Sequence, residues 1–173
     1  MNAPLAPRSG EREGPVQREG EGQAASAAKE ARRYPDRPIV GVLAVVLRGE
    51  RALVVRRANP PMAGRWGFPG GVLELGETVA EGAMRELLEE TSVVAEAVGP
   101  LKVIDTIDRD DKGRVRFHYI LVAVRGVWVS GEGVAGDDAD EVAWLSRAEI
   151  VAGGLPTAPA LLPLINLALN QEK

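Results

Sequence analysis

Glu86, Glu89 and Glu90 stand at i, i+3 and i+4, positions that share one face of a helix. They close a run from Gly70 to Val93 that also holds Glu74, Glu77 and Glu81, six carboxylates in all. Like charges at that spacing weaken an isolated helix by roughly 0.2–0.5 kcal/mol per pair. A hard divalent cation bound by oxygens is the natural compensation. Taken alone, the three glutamates would be read as a solvated helix face. The residues around them decide between the two readings.

Thr78, with Glu81 three residues on, matches a capping box, which predicts a helix from about Val79 to Thr91. Val79, Ala83 and Leu87, joined by Met84 and Leu88, supply its buried side, and the carboxylates lie on another. Ahead of it, Ile39–Leu47 is a continuous, β-branched apolar run and reads as a buried strand. Gly49-Glu50 makes a turn and Ala52–Val55 pairs back. Ala58–Gly64 is a loop by its prolines and glycine. After the helix, Ala97–Ile107 and Arg114–Val124 read as strands joined by the polar turn Asp108–Gly113, where Asp108, Asp110 and Asp111 are turn residues. Ser130–Asp140 is a Gly/Asp-rich loop and Glu141–Leu145 a short strand. Ser146–Ala152 is a helical turn capped by Ser146 and Glu149. Leu161–Leu169 is an apolar C-terminal helix. Strands dominate and helices flank them, so the fold class is α+β, or an α/β/α sandwich with a mixed sheet.

The chain has 173 residues, 45% hydrophobic and only 4% aromatic, so one core built from Val, Leu, Ala and Ile is expected. It has no cysteine, which excludes disulfides and thiolate metal sites. Residues 1–36 are rich in Gly, Pro, Ala, Glu and Arg and poor in large apolar side chains. They read as a disordered N-terminal tail with a short helical tendency near Ser26–Arg33. The tail carries six basic and six acidic residues, so the net charge of −4 belongs wholly to the domain expected at 37–173. That charge argues against general affinity for nucleic acid. No apolar run reaches membrane-spanning length and no secretory signal is visible. A cytoplasmic protein with no membrane partner is the expectation.

Gly71, five residues, Glu77, seven residues, then Arg85-Glu86-Leu87-Leu88-Glu89-Glu90-Thr91-Ser92-Val93 resembles the Nudix box. The family usually has glycine where this chain has Ser92, at the end of the helix, where a left-handed residue is commonly needed. The strand pair before the box, the Trp66–Gly70 approach and the acidic loop before Trp144 also look like the family. The resemblance covers about Arg37 to Leu169, and within the family the pattern is most similar to bacterial sequences called ADP-ribose pyrophosphatase-like. It implies an α/β/α sandwich that hydrolyses a nucleoside diphosphate linked to another moiety, using Mg²⁺ or Mn²⁺. The ion would take oxygens from Glu86, Glu89 and Glu90, with the Gly71 carbonyl as a further donor. Gly70-Gly71 would let backbone approach it with no side chain in the way. Arg85 would orient Glu86 or pair with Glu77; its bland alternative is an i,i+4 pair with Glu81. Glu77 is likewise expected to act, although an acid at a helix entrance is ordinary.

The base that activates water is not fixed by the box. It can be a box glutamate such as Glu89, or an acid of the loop before Trp144. There Asp138 and Glu141 are the better candidates for an extra metal ligand or base, against the plain alternative of a soluble loop. Arg56 or Arg57 suits a bidentate phosphate contact. Trp66 is a candidate to stack on a base, with packing against the sheet as its alternative. His118, beside Phe117 and Tyr119, reads as structural.

The expected partner is a small-molecule nucleotide, and many members of the family dimerise, so a homodimer is open to this chain. ADP-ribose-like substrates come first. One ADP-ribose subgroup carries a proline at a place that falls near Arg109 here, yet no proline lies between Pro100 and Pro156. A nucleoside triphosphate pyrophosphatase is therefore the second reading, and a non-catalytic ligand sensor the third. Such sensors lose the Glu pair and the arginine, and both are present.

Overall fold

The computed structural model describes residues 32–58, 62–136 and 139–171. The chain divides into two units, Met1–Arg33 and Tyr34–Lys173. The expected disordered tail and its helical tendency fall almost wholly on residues 1–31, outside the described residues.

The continuous apolar run forms β1 (Ile39–Arg48), and the turn at Gly49, with φ of 59°, leads into β2 (Arg51–Arg57). The hairpin is joined only at its closed end, Leu47 opposite Ala52 and Arg48 opposite Arg51. Beyond it the two strands part. β1 pairs antiparallel with β4 (Gly70–Val72) and parallel with β6 (Val115–Ser130). β2 takes β3 (Trp66–Gly67) and β7 (Ala139–Ser146), both antiparallel. The outer strand β5 (Val94–Arg109) pairs antiparallel with β6 and completes a seven-stranded mixed sheet.

Alternate residues of the central strands feed two cores. Val42, Ala44, Val46, Leu53 and Val124 pack against α1 (Val79–Thr91) through Ala83 and Leu87. Val45, Ala52, Val54 and Ala123 pack against α2 (Arg147–Ala152) and α3 (Leu161–Asn170) through Ile150, Leu161, Leu164, Ile165 and Ala168. The result is the α/β/α sandwich the sequence implies.

β5 and β6 run longer than their sequence limits suggest. Three of the four register shifts between them lie at Val94/Ala95, Ala97/Gly99 and Pro100/Lys102, and they absorb Gly99-Pro100 without ending the strand. Proline is tolerated there because β5 is an edge and needs no outward donor. Leu88, expected on the buried side of α1, is instead half exposed at 51%. The helix buries a narrow stripe, and Leu88 lies beyond its margin.

Candidate active site

α1 begins as its capping box requires. Glu81 N–H donates to Thr78 Oγ1 at 3.2 Å, and Thr78 N–H donates to Glu81 Oε2 at 2.8 Å. That fixes the register of every residue one to three turns later. Gly82 lets the helix approach the preceding loop: a Cβ there would stand 2.8 Å from Leu73 Cδ1 and 3.0 Å from Glu77 Oε2.

Glu77 thereby reaches Arg85. Arg85 Nε and Nη2 donate to its two carboxylate oxygens at 2.6 and 3.0 Å. Arg85 Nη1 donates to Glu86 Oε1 at 2.9 Å and Glu89 Oε2 at 3.3 Å, while Nη2 also reaches the Val72 carbonyl at 3.3 Å. All five guanidinium N–H groups are thus engaged. Both sequence alternatives for Arg85 coexist, and its i,i+4 partner is Glu89 rather than Glu81. The bidentate hydrogen bond from Arg85 and the Glu74 N–H hold the Glu77 carboxyl down at about 2. The same hydrogen bond, with that to Glu86, raises Arg85 further above its ordinary value.

Glu86 lies against β4. A Cβ on Gly71 would stand 2.3 Å from Glu86 Oε1, so glycine lets that carboxylate rest directly against β4. Glu90 is buried at 8% exposure and accepts the Gly70 N–H through Oε2 at 3.1 Å. Glu89 points outward beside them, its side chain 59% exposed. Gly71, Glu86, Glu89 and Glu90 therefore gather where α1 meets β4. Among the described residues, no three acidic or histidine side chains already surround one metal position. The guanidinium of Arg85 draws Glu86 and Glu89 to itself. The donor set nevertheless suits Mg²⁺ or Mn²⁺: hard oxygens, three carboxylates beside one guanidinium, and a cradle free of a Cβ.

The remaining candidates are carried by other elements. Glu141 stands opposite Arg56 in the β2–β7 register and pairs with Arg56 Nη2 at 3.5 Å; Asp140 lies 4.0 Å from Arg56 Nε. That nitrogen is buried and has no hydrogen-bond acceptor among the described residues. Arg57 follows a register shift after Arg56, and its N–H donates to the Arg65 carbonyl at 3.1 Å. Asp138 lies outside the described residues. Trp66 corrects the stacking expectation. The residue is 6% exposed and packs in the core beneath α2 and α3, which leaves no open face for a base. Asp110 accepts the N–H groups of Lys112 and Arg114, as turn chemistry requires.

The role of Gly82 and the docking of the 131–136 loop on the end of α1 escaped the sequence reading. A glycine inside a helix, next to a carboxylate run, was the one signal that could have found the first.

A sandwich whose carboxylate-bearing helix abuts a glycine strand defines the class, and the chain belongs to the Nudix family: its residues 37–165 match the NUDIX domain model. Among curated relatives, it is 38% identical over 104 residues to an ADP-ribose pyrophosphatase of Methanocaldococcus jannaschii, covering 60% of this chain and 59% of that one. It is 39% identical over 78 residues to an oxidized purine nucleoside triphosphate hydrolase of Mus musculus, covering 45% and 43%. The chain thus spans little more than half, or less, of these relatives' length. A solved bifunctional NMN adenylyltransferase/ADP ribose pyrophosphatase of Francisella tularensis, complexed with AMP and a manganese ion, matches with a TM-score of 0.64 and 28% identity, over 87% of this chain and 46% of that one.

Proposed function

We propose that this chain is a divalent-metal-dependent pyrophosphohydrolase of nucleoside diphosphates linked to a second moiety, with ADP-ribose-like substrates favoured. The observation that carries this reading is the Gly71 cradle, with Glu86 resting where a Cβ would stand and Glu90 tied to the Gly70 amide.

Glu86, Glu89, Glu90 and the Gly71 carbonyl would hold Mg²⁺ or Mn²⁺. The ion, when bound, neutralises pyrophosphate oxygens and acidifies a coordinated water. Arg85 orients Glu86 and Glu89, and Glu77 fixes Arg85. A carboxylate takes the water proton as the water oxygen bonds to phosphorus and the bridging P–O bond breaks. Glu89 is the base candidate beside Arg85, and Glu141 the candidate beside Arg56. Arg56 and Arg57, at the end of β2, are the candidates for phosphate contact. With ADP-ribose the products are AMP and ribose 5-phosphate.

The likeness to the ADP-ribose pyrophosphatase and to the AMP- and manganese-bound neighbour supports this substrate class. A nucleoside triphosphate pyrophosphatase is the second reading. The likeness to the purine triphosphate hydrolase and the lack of proline between Pro100 and Pro156 favour it. A non-catalytic sensor is disfavoured by the intact Arg85, Glu86, Glu89 and Glu90. Among the described residues no helix is long and apolar enough to cross a membrane. The reading is of a cytoplasmic enzyme with a small nucleotide as its partner, open to homodimer formation.

The test is a panel of ADP-ribose, nucleotide sugars, dinucleoside polyphosphates and nucleoside triphosphates with Mg²⁺ and with Mn²⁺. AMP plus a sugar phosphate supports the first reading. A nucleoside monophosphate plus pyrophosphate selects the second, and no turnover with any of them overturns both.

A further inference from the structure

The last turn of α1 carries Glu89 and Glu90, and no basic residue lies in it to answer its terminal carbonyls. Ser92 N–H satisfies the Leu88 carbonyl at 2.8 Å. The next donors come from the loop that joins β6 to β7. Gly136 N–H donates to the Glu90 carbonyl at 2.9 Å, and Val134 N–H to the Thr91 carbonyl at 2.8 Å. The loop 131–136 is therefore zipped along the end of the helix. Glycine permits the approach at both ends: a Cβ on Gly131 would lie 2.7 Å from the Ser92 carbonyl oxygen, and one on Gly136 would lie 2.3 Å from that of Glu89.

The opposite side of this loop is held by three strands. Trp128 of β6 donates Nε1–H to the Gly131 carbonyl at 2.9 Å. Trp144 of β7 donates Nε1–H to the Glu132 carbonyl at 2.8 Å. Arg48, at the end of β1, donates Nη1–H to Glu132 Oε2 at 2.8 Å. The Arg48 guanidinium also lies over both indoles, 4.5 Å from the Trp128 ring centroid and 5.0 Å from that of Trp144. Two aromatic faces on one cation make an attraction that Lys or Met cannot fully replace. The Arg48–Glu132 pair alone would be worth little, since Glu132 is 80% exposed. Joined to two indole donors, it fixes both carbonyls and the side chain of one short segment.

We propose that Arg48, Trp128 and Trp144 are positioning residues: they clamp the 131–136 loop onto the last turn of α1 and so set Glu90 against Gly70, with Glu89 beside it. The effect on turnover rests on the metal-dependent reading above; the mechanical link does not. Glu90 is thus held from two sides, its carboxylate by Gly70 and its carbonyl by Gly136. Loosening the loop releases one of them.

The test uses the full chain with Arg48→Met and Trp144→Phe, the latter keeping a ring but losing the indole donor. Arg48→Lys serves as the conservative partner. Amide hydrogen exchange is followed residue by residue without metal. Mn²⁺ binding is followed by calorimetry, and turnover by kcat and KM. Exchange at Val134 and Gly136 is expected to quicken at least about tenfold in both variants, while the β1–β6 ladder from Val42 to Val46 stays protected. Mn²⁺ affinity falls severalfold and kcat drops with the nucleotide KM unchanged, and Arg48→Lys recovers part of each loss. Unchanged exchange at Val134 and Gly136 overturns the clamp. Quickened exchange with unaltered Mn²⁺ affinity overturns its link to the carboxylates. A wild-type chain that binds Mn²⁺ but turns over no nucleotide refutes the hydrolase reading instead, and the exchange and binding measurements still decide the clamp.

Discussion

Arg85 and Glu77, eight residues apart, meet through two parallel hydrogen bonds of 2.6 and 3.0 Å, and the same guanidinium reaches Glu86 and Glu89. Glu77 thus acts on the helix carboxylates through Arg85. Lysine at position 85 would keep the charge but lose the planar fork that serves three carboxylates at once. Arg85→Lys should lower kcat by about 10–100-fold, as loss of a group that orients metal ligands does, with little change in the nucleotide KM. Steady-state kinetics at saturating Mg²⁺ checks this; an equal rise in KM with kcat intact would place Arg85 on the substrate.

Glu89→Gln and Glu90→Gln separate charge from shape. Each variant keeps an acceptor, so the Gly70 N–H still has a partner in Glu90→Gln. Each removes one anionic oxygen donor from a site that a hard cation needs. The fold should survive, with circular dichroism and melting near wild type, while turnover falls by at least about two orders of magnitude. Full activity in both variants would remove the metal-ligand assignment.

Gly71→Ala probes the cradle without touching an acid. A methyl placed 2.3 Å from Glu86 Oε1 must displace that carboxylate or bend β4. Because Gly71 lies at the short β1–β4 ladder, near the sheet margin, the domain should still fold. The expected result is a Mn²⁺ affinity reduced by about tenfold or more in calorimetry. Wild-type affinity would show that Glu86 has another place to stand.

The limits of α1 and its capping box were legible because they are local: Thr78, Glu81 and the apolar spacing settle them within one segment. The partners of Arg85 were legible only as alternatives, since choosing among them needs the distance between β4 and the helix. Trp66 was not legible. An indole after a loop can stack or pack, and only the arrival of α2 and α3 on the same face of the sheet buried it. The facing of Arg56 and Glu141 depends on a cross-strand register with a shift at Arg56/Arg57, set by residues 80 positions apart or more. The Arg48 clamp joins three strands, and no local signal brings them together.

Acid should weaken the domain in a defined window. The Glu77 carboxyl titrates at about 2 in the fold against an ordinary value of 4.5. A folded value below the unfolded one means that its contribution is fully present above about 4.5 and is lost as pH falls toward 2. Glu149, lowered by the hydrogen bonds from Ser146 at the start of α2, and Glu81, lowered by those from Thr78, act in the same direction. Urea midpoints should therefore hold steady from pH 7 to 5 and decline below 4.5. In Glu77→Gln the decline should be shallower, and an identical slope would show that Glu77 gains nothing from Arg85.

Ser92 closes α1 in the left-handed region, with φ of 54° and ψ of 20°, where the family usually has glycine. A side chain there costs about 1–2 kcal/mol relative to an unstrained backbone. Glycine removes that cost but gains freedom in the unfolded chain, which takes back about half. Ser92→Gly should therefore stabilise the domain by about 0.5–1 kcal/mol, or raise Tm by about 1–4 °C. The end of α1 is already fixed by Gly136 and Val134 on the Glu90 and Thr91 carbonyls, so kcat should not move. Differential scanning calorimetry and steady-state kinetics on the same preparation check both halves. A lower Tm would mean that the serine makes a contact worth more than its strain.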